Sequence, residues 1–452
     1  MADNTRQTTL GAPSGDVDTL EDIDWTFEGA NTSYLSHGLH AYPARMIPQI
    51  PDALFDFYKK EGTISEGDTV YDPFSGSGTT AVEGRIHGLH AEANDINPLA
   101  VLLSRTKAIP LDSTRLNDAR ADLLQDLADE LADVRKQFES GDLEFDEDPE
   151  VRDGWFPEPQ LQELWYIRHR IDDIADEYDE AVARFFRIVL SDICRKVSYQ
   201  RNGEYKRYRL SEEDRADHNP DVLDPFVKKL EKNLKLMREY SEQVDHSLET
   251  TIHYADSRSA TENEDAVDKN SADIVITSPP YGDHRTTVAY GQYSQDPAII
   301  SSGAGYDEMK DVDKAGLGGK NSTLEALPEL EEWSTSFAAT MDALREKDGR
   351  AGDAMDFVRD YYAVMEEVAK ILKPGQPVAW VVANRTMSRV NIPTHLITQE
   401  LCEHIGYEHE DTLPREIPTK TLPWENAPEN TPGVKGDLMA NENIVVMSAP
   451  KN

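Results

Sequence analysis

Two short stretches of this sequence carry residues that do chemistry when they stand at strand ends. The first is Asp72-Pro-Phe-Ser-Gly-Ser-Gly-Thr-Thr80. Gly76 and Gly78 let a ligand approach the backbone, and a helix N-terminus at Thr79 favours an anionic group such as a carboxylate or phosphate. Gly76, Gly78 and Ala81 also meet a dinucleotide-type spacing, with Asp95 placed to hold ribose hydroxyls. A plain tight turn meets the same spacing. A Walker-type phosphate loop is disfavoured, since no Gly-Lys-Ser/Thr closes the motif. The second stretch is Thr277-Ser-Pro-Pro-Tyr281. Its two prolines fix φ and supply no N–H, so nearby carbonyls can face outward as acceptors. An amine with two N–H donors could be held by the Ser278 hydroxyl and the Pro279 carbonyl. Accepting both hydrogens would draw the nitrogen lone pair out of conjugation and aim it at an electrophile. Tyr281 offers a flat ring on which an extruded base could stack. The bland alternative is a rigid Pro-Pro turn capping a strand.

Both stretches need strands behind them, and the pattern supplies these. Thr69 to Phe74 reads as a strand, Thr79 to Gly88 as a helix, and Ala91 to Asp95 as the tip of a second strand. That is the opening of a doubly wound α/β fold. From 111 to about 250 the text turns helical, with apolar residues at helical spacing over Leu116 to Phe138 and Gln160 to Asp176. Strand-like runs return at Thr251–Tyr254, Asp273–Ile276, Pro377–Ala383 and Asn443–Met447, with a helix from Asp356 to Leu372. The expected organisation is a loose acidic tail over 1–24, a first part of the core over 25–110, a helical insertion over 111–250 and a second part of the core over 251–452.

The formal charge of −40 argues against binding nucleic acid at ordinary salt, because phosphate contact depends on positive charge. Acidic residues are spread along the whole chain, which suits a halophile's cytoplasm, where the Debye length falls to about 3 Å. DNA binding then needs only a local basic patch. Two isolated cysteines, Cys194 and Cys402, give neither a disulfide framework nor a zinc pattern. His37-Gly-Leu-His40 and His87-Gly-Leu-His90 lack a metal-site form, and no metal is expected. The N-terminus has no signal-peptide pattern and no run is long enough to span a bilayer, so a cytoplasmic protein is expected.

Taken in order, these blocks resemble the S-adenosylmethionine-dependent amino-methyltransferase superfamily. Its members carry an Asp-Pro-Phe-x-Gly-Ser-Gly-Thr cofactor loop and an Asn/Asp/Ser-Pro-Pro-Tyr/Phe catalytic loop. His40 to Pro48 resembles the segment ahead of the cofactor loop, Asn94-Asp-Ile-Asn-Pro98 the ribose-binding turn, and Ala255-Asp-Ser-Arg258 the adenine-contacting segment. Leu372-Lys-Pro-Gly375 resembles the late core. The resemblance implies a Rossmann-like class I methyltransferase fold. It places Asp72, Phe74, Gly76, Gly78 and Thr79 at the cofactor, Asp95 at its ribose and Asp256 at its adenine. Ser278, Pro279, Pro280 and Tyr281 would hold the target base. Direct methyl transfer needs no covalent intermediate, and the cytosine carbon-5 class is disfavoured because neither cysteine follows a proline. Ser rather than Asp at 278 leans toward cytosine N4 over adenine N6. The implied partner is double-stranded DNA, with a cognate restriction endonuclease where the enzyme serves restriction-modification rather than host marking.

One segment stands out in the acidic chain. Arg195 to Arg209 holds Arg201, Lys206, Arg207 and Arg209 with Tyr199, Tyr205 and Tyr208 interleaved. Basic and aromatic residues together suit phosphate contact and stacking, though a solvated basic loop explains them too. The segment His284 to Tyr293, with Arg285, could close over a flipped base, though its Gly and Thr content also fits an ordinary mobile loop; Ala315 to Lys320 reads as a loop or lid, and Arg415 to Lys420 as a further phosphate contact or a structural turn. An RNA amino-methyltransferase would share both loops but usually brings a separate N-terminal RNA-binding domain. A nicotinamide oxidoreductase would leave Ser278 to Tyr281 without a role. A non-catalytic DNA-binding protein would be expected to have lost that loop.

Overall fold

The computed structural model describes residues 18–143, 145, 149–201, 207–262, 266–282, 289–347, 350–417 and 441–451. Seven strands form one sheet: β1 Thr69–Asp72, β2 His90–Asp95, β3 Thr250–Tyr254, β4 Ile274–Thr277, β5 Pro377–Ala383, β6 Glu408–Glu416 and β7 Asn441–Ser448. Their spatial order is β3-β2-β1-β4-β5-β7-β6. The first five run parallel, β7 lies antiparallel to β5, and β6 antiparallel to β7. The chain walks outward from β1 to β3, then returns to place β4 on the other side of β1. The crevice at the carboxyl ends of β1 and β4 is therefore the switch point where such sheets bind ligands.

Alternate strand residues face opposite layers. Val70, Ile274, Ile276, Val381 and Ile444 enter one apolar cluster, while Tyr71, Val275, Trp380, Val382 and Met447 enter the other. These strands are buried on both faces, so they read as continuous apolar runs. On the first face lie helices α1 Gln49–Glu61, α2 Thr79–Ile86 and α3 Pro98–Ala108, followed by the insertion: α4 Ser113–Leu124, α5 Leu127–Ser140, α6 Glu158–Glu177, α7 Glu180–Val197 and α8 Leu223–Ser241. Leu164, Ile167, Phe185 and Ile193 of the insertion share one cluster with Ile252 and Ile276 of the sheet. The insertion is thus built into the core rather than hung from it. After β4 come α9 Tyr290–Ser302 and α10 Tyr306–Ala315; α11 Ala351–Ile371 and α12 Thr394–Ile405 flank β5.

Four local features differ from expectation. The run Leu116 to Phe138 is two helices, parted at Asp126 with φ +60°. Aspartate tolerates that left-handed conformation better than most residues, and the break lets Leu116, Leu123, Leu127 and Val134 all reach the core. Strand β6 escaped notice because Glu408, Glu410, Asp411 and Pro414 mark it as an edge, where charge and proline guard against pairing. Helix α9 is buried almost all round, from Gly291 to Ser301, and so has no amphipathic period to read. The segment from 18 to 24, expected as tail, packs through Leu20 and Ile23, and the Trp25 indole donates to the Leu20 carbonyl at 3.0 Å. No described helix is long and apolar enough to cross a membrane.

Candidate active site

The loop after β1 is shaped by its glycines. Gly76 and Gly78 have φ of +50° and +82°, and Gly78 caps α2. A Cβ on Gly78 would lie 2.8 Å from the Ser104 Cα of α3, so a hydrogen at this position is what allows the two helices to close. Asp95, at the end of β2, accepts from the Gly76 N–H at 2.8 Å with one oxygen and from the Asn97 N–H at 2.8 Å with the other. Asp72 ends β1 and accepts from the Phe74 N–H at 2.9 Å and from the Thr277 hydroxyl at 2.6 Å. That last bond ties the first loop directly to the residue preceding Ser278. Burial lifts the Asp72 carboxyl to about 6 and the Asp95 carboxyl to about 7, against the pull of these donors.

A cleft of about 1100 Å³, open to solvent, runs along these strand ends. Asp72, Phe74, Gly76, Thr79, Asp95, Asp256, Ser278 and Pro280 all line it. Gly78 lies beneath the loop, and neither Pro279 nor Tyr281 is among the lining residues. Asp256 receives the Arg258 guanidinium at 3.0 Å, and Arg258 also reaches buried Asp360 at 2.8 Å and the Ala315 carbonyl at 2.8 Å. Asp360 in turn accepts from the Gly318 N–H and the Ser322 hydroxyl. The stretch from Ala315 to Lys320, expected as loop or lid, is thereby fastened to the cleft wall.

Sequence reasoning missed two parts of the wall. Tyr290 stacks on Tyr42 with centroids 5.8 Å apart, and the Asn97 amide holds the Tyr42 hydroxyl at 3.0 Å. Arg45 lines the cleft while donating to the His37 and Thr32 carbonyls. Below Arg45, the leading histidines of the two His-Gly-Leu-His repeats converge. His37 Nε2 lies 2.6 Å from buried Glu83, which also meets the Tyr34 hydroxyl; His87 Nε2 lies 2.8 Å from Asp52. Burial pushes the Glu83 carboxyl up and the His37 imidazole well below its ordinary value, so burial disfavours the charged form of each. These separations are those of hydrogen bonds, and they pin the segment carrying Tyr42 and Arg45 to α2.

No family model matches the chain. The Type II methyltransferase M.MvaI of Kocuria varians is 32% identical over 432 residues, spanning 93% of this chain and 92% of its own length. The chain belongs to the Type II methyltransferases. M.BsoBI of Geobacillus stearothermophilus, with the same designation, is 22% identical over 77% of this chain and 75% of its own. Among solved structures, the rRNA methyltransferase aviRa of Streptomyces viridochromogenes aligns over 91% of this chain and 89% of its own at 9% identity, with a TM-score of only 0.33. The strand order itself carries the assignment to the Rossmann-like class I methyltransferase fold.

In this methyltransferase the basic segment divides. Arg207 is only 6% exposed, stacks on Trp155 at 4.1 Å and pairs with Asp296 of α9 at 2.5 Å. It is thus committed to holding the insertion against α9 rather than turned toward a phosphate. Arg195 acts alike, over the Tyr293 ring at 4.1 Å. Arg201, Arg209 and Tyr208 are exposed; Lys206 and Arg285 lie outside the described residues. Arg415, expected as a phosphate contact, is buried and paired with Glu442.

Proposed function

We propose that this chain transfers a methyl group from S-adenosylmethionine to the exocyclic amino group of a flipped base in double-stranded DNA, with cytosine N4 the leading target. The observation that carries the reading is the convergence of both loops on one cleft, joined by the Thr277–Asp72 hydrogen bond. The cleft suits the cofactor. Ser75 Oγ is buried there without a partner among the described residues, an orphan that a bound ligand would satisfy. Asp95 would accept from the ribose hydroxyls, Asp256 from the adenine amine, and the carboxylates offset a cationic sulfur. When bound, S-adenosylmethionine supplies an electrophilic methyl carbon on a sulfonium.

The protein's part is placement. Ser278 and the Pro279 carbonyl would accept the two amine hydrogens, freeing the nitrogen lone pair, and Tyr281 would support the face of the base. Ser278 and Pro279 would thus hold the amine whose nitrogen takes the methyl group that the sulfonium would give up, and the surplus proton would pass from that nitrogen to water. Positioning of this kind supplies most of the rate.

Transfer of labelled methyl to duplex DNA and to RNA in molar potassium chloride, read by nucleoside mass spectrometry, tests the proposal. N4-methylcytosine from DNA is expected. N6-methyladenine would keep the mechanism and change the base, whereas label in RNA alone would overturn the DNA assignment.

A second expectation follows from the raised carboxyls. Asp72 and Asp95 must be ionised to serve fully as acceptors, so cofactor affinity should fall as pH drops from 8 to 6, by roughly tenfold. Stability of the ligand-free protein runs the other way. A carboxyl whose pKa is raised by folding binds its proton more tightly in the folded state, so acidification from pH 8 toward 5 stabilises it. Calorimetric titration and thermal melts over this window should therefore diverge, and Asp95→Asn should flatten the affinity profile. Affinity independent of pH would remove Asp95 from the ligand contacts.

A further inference from the structure

Tyr281, which follows the cleft-lining Pro280, is not left free to swing. Its hydroxyl donates to Glu442 Oε1 at 2.7 Å. The other oxygen of Glu442 takes a guanidinium N–H of Arg415, whose Nε donates to the Trp25 carbonyl at 3.0 Å. Glu442 stands on β7 opposite Ala383 on one side and Arg415 on the other, so the sheet register fixes where its carboxylate lies. Glu442 and Arg415 side chains are 12% and 5% exposed.

We infer that Glu442 and Arg415 are positioning residues that fix the plane of the Tyr281 ring for the target base, with the Trp25 carbonyl as their backstop. The inference rests on the reading of Tyr281 as a base support. An aromatic side chain turns about two bonds, and packing near the backbone restrains its far end weakly. A hydrogen bond at the hydroxyl restrains the far end directly, and an ionised acceptor makes that bond stronger than a neutral one. A carboxylate this enclosed needs a counter-charge, which Arg415 provides. Arg415 is itself held by a segment some 390 positions earlier in the chain, so the N-terminal segment reaches the catalytic loop through three side chains.

Tyr281→Phe isolates the effect, because it removes the hydroxyl and leaves the Glu442–Arg415 pair and the ring in place. With unmethylated genomic DNA as substrate, it should lower kcat about tenfold while KM for DNA and cofactor affinity stay near those of the unsubstituted protein and Tm falls only by about the cost of one charge-assisted hydrogen bond. Glu442→Gln keeps an oxygen for the hydroxyl but loses the charge, and should lower kcat by about threefold. The double variant should be no slower than Tyr281→Phe alone, since Glu442 acts through that hydroxyl. A merely structural pair would lower Tm while leaving kcat per folded molecule unchanged. Wild-type kcat in Tyr281→Phe, or full additivity in the double variant, would overturn the inference and leave the functional reading standing. No DNA label from the unsubstituted protein would overturn both.

Discussion

Replacing Ser278 and Tyr281 together by alanine is expected to lower the rate of methyl transfer by about a thousandfold while changing S-adenosylmethionine affinity less than about threefold. Ser278 touches the cleft at the mouth of the second loop, whereas the groups assigned to the cofactor come from the first loop, the end of β2 and the segment at Asp256. The two sets share a space but not a backbone. Removing the Ser278 hydroxyl leaves one amine hydrogen without its acceptor. Removing the Tyr281 ring leaves the base free to tilt, and a misplacement of about 1 Å can cost a hundredfold. Neither loss disturbs Asp72, Asp95 or the Gly76 N–H. Single-turnover transfer and equilibrium binding on one preparation separate the two effects. Wild-type turnover in the double variant would remove the catalytic assignment, and an equal collapse of cofactor binding would make the loop structural.

The parts of this architecture that were legible in the sequence are those where one local rule suffices. Strands β1 and β4 are short apolar runs ending in a glycine-rich or proline-rich turn, and those turns hold residues that line the cleft; β5 is an apolar run opened by Lys373-Pro-Gly375. What stayed hidden depends on partners distant in sequence. Arg207 looks like a phosphate contact until Asp296 and Trp155 surround it. Arg415 looks like surface until β7 sets Glu442 opposite. Helix α9 is enclosed on nearly all sides, which erases the periodicity that marks a helix lying on a surface. The approach of His37 and His87 to neighbouring carboxyls, Glu83 and Asp52, joins two repeats whose surroundings in sequence have nothing in common.

These hidden contacts also bind the insertion to the chemistry. Helix α7 of the insertion packs along α9, which opens shortly after the Ser-Pro-Pro-Tyr loop, and Arg195 and Arg207 fasten the two. A shift of the insertion therefore pulls on the helix that carries Tyr290 into the cleft wall. A target-reading element placed here would be mechanically continuous with the site it serves.

Gly78→Ala is expected to destabilise the protein by about 2–4 kcal/mol, the sum of left-handed backbone strain and overpacking. The methyl would stand 2.8 Å from the Ser104 Cα and 2.9 Å from its Cβ, and backbone cannot step aside as a flexible side chain can. Gly62 gives the control. It caps α1 with φ +78°, close to the +82° of Gly78, yet nothing lies within 4 Å of the place its Cβ would occupy. Gly62→Ala should cost only the strain, about 1–2 kcal/mol. The difference between the two denaturant midpoints then measures the close approach of α2 to α3. Cofactor affinity should separate them further, because moving α2 away from α3 displaces Thr79 and the Gly76 N–H, whereas α1 can lose its cap without disturbing either. Equal midpoints would mean that α2 and α3 stand further apart than the 2.8 Å contact requires.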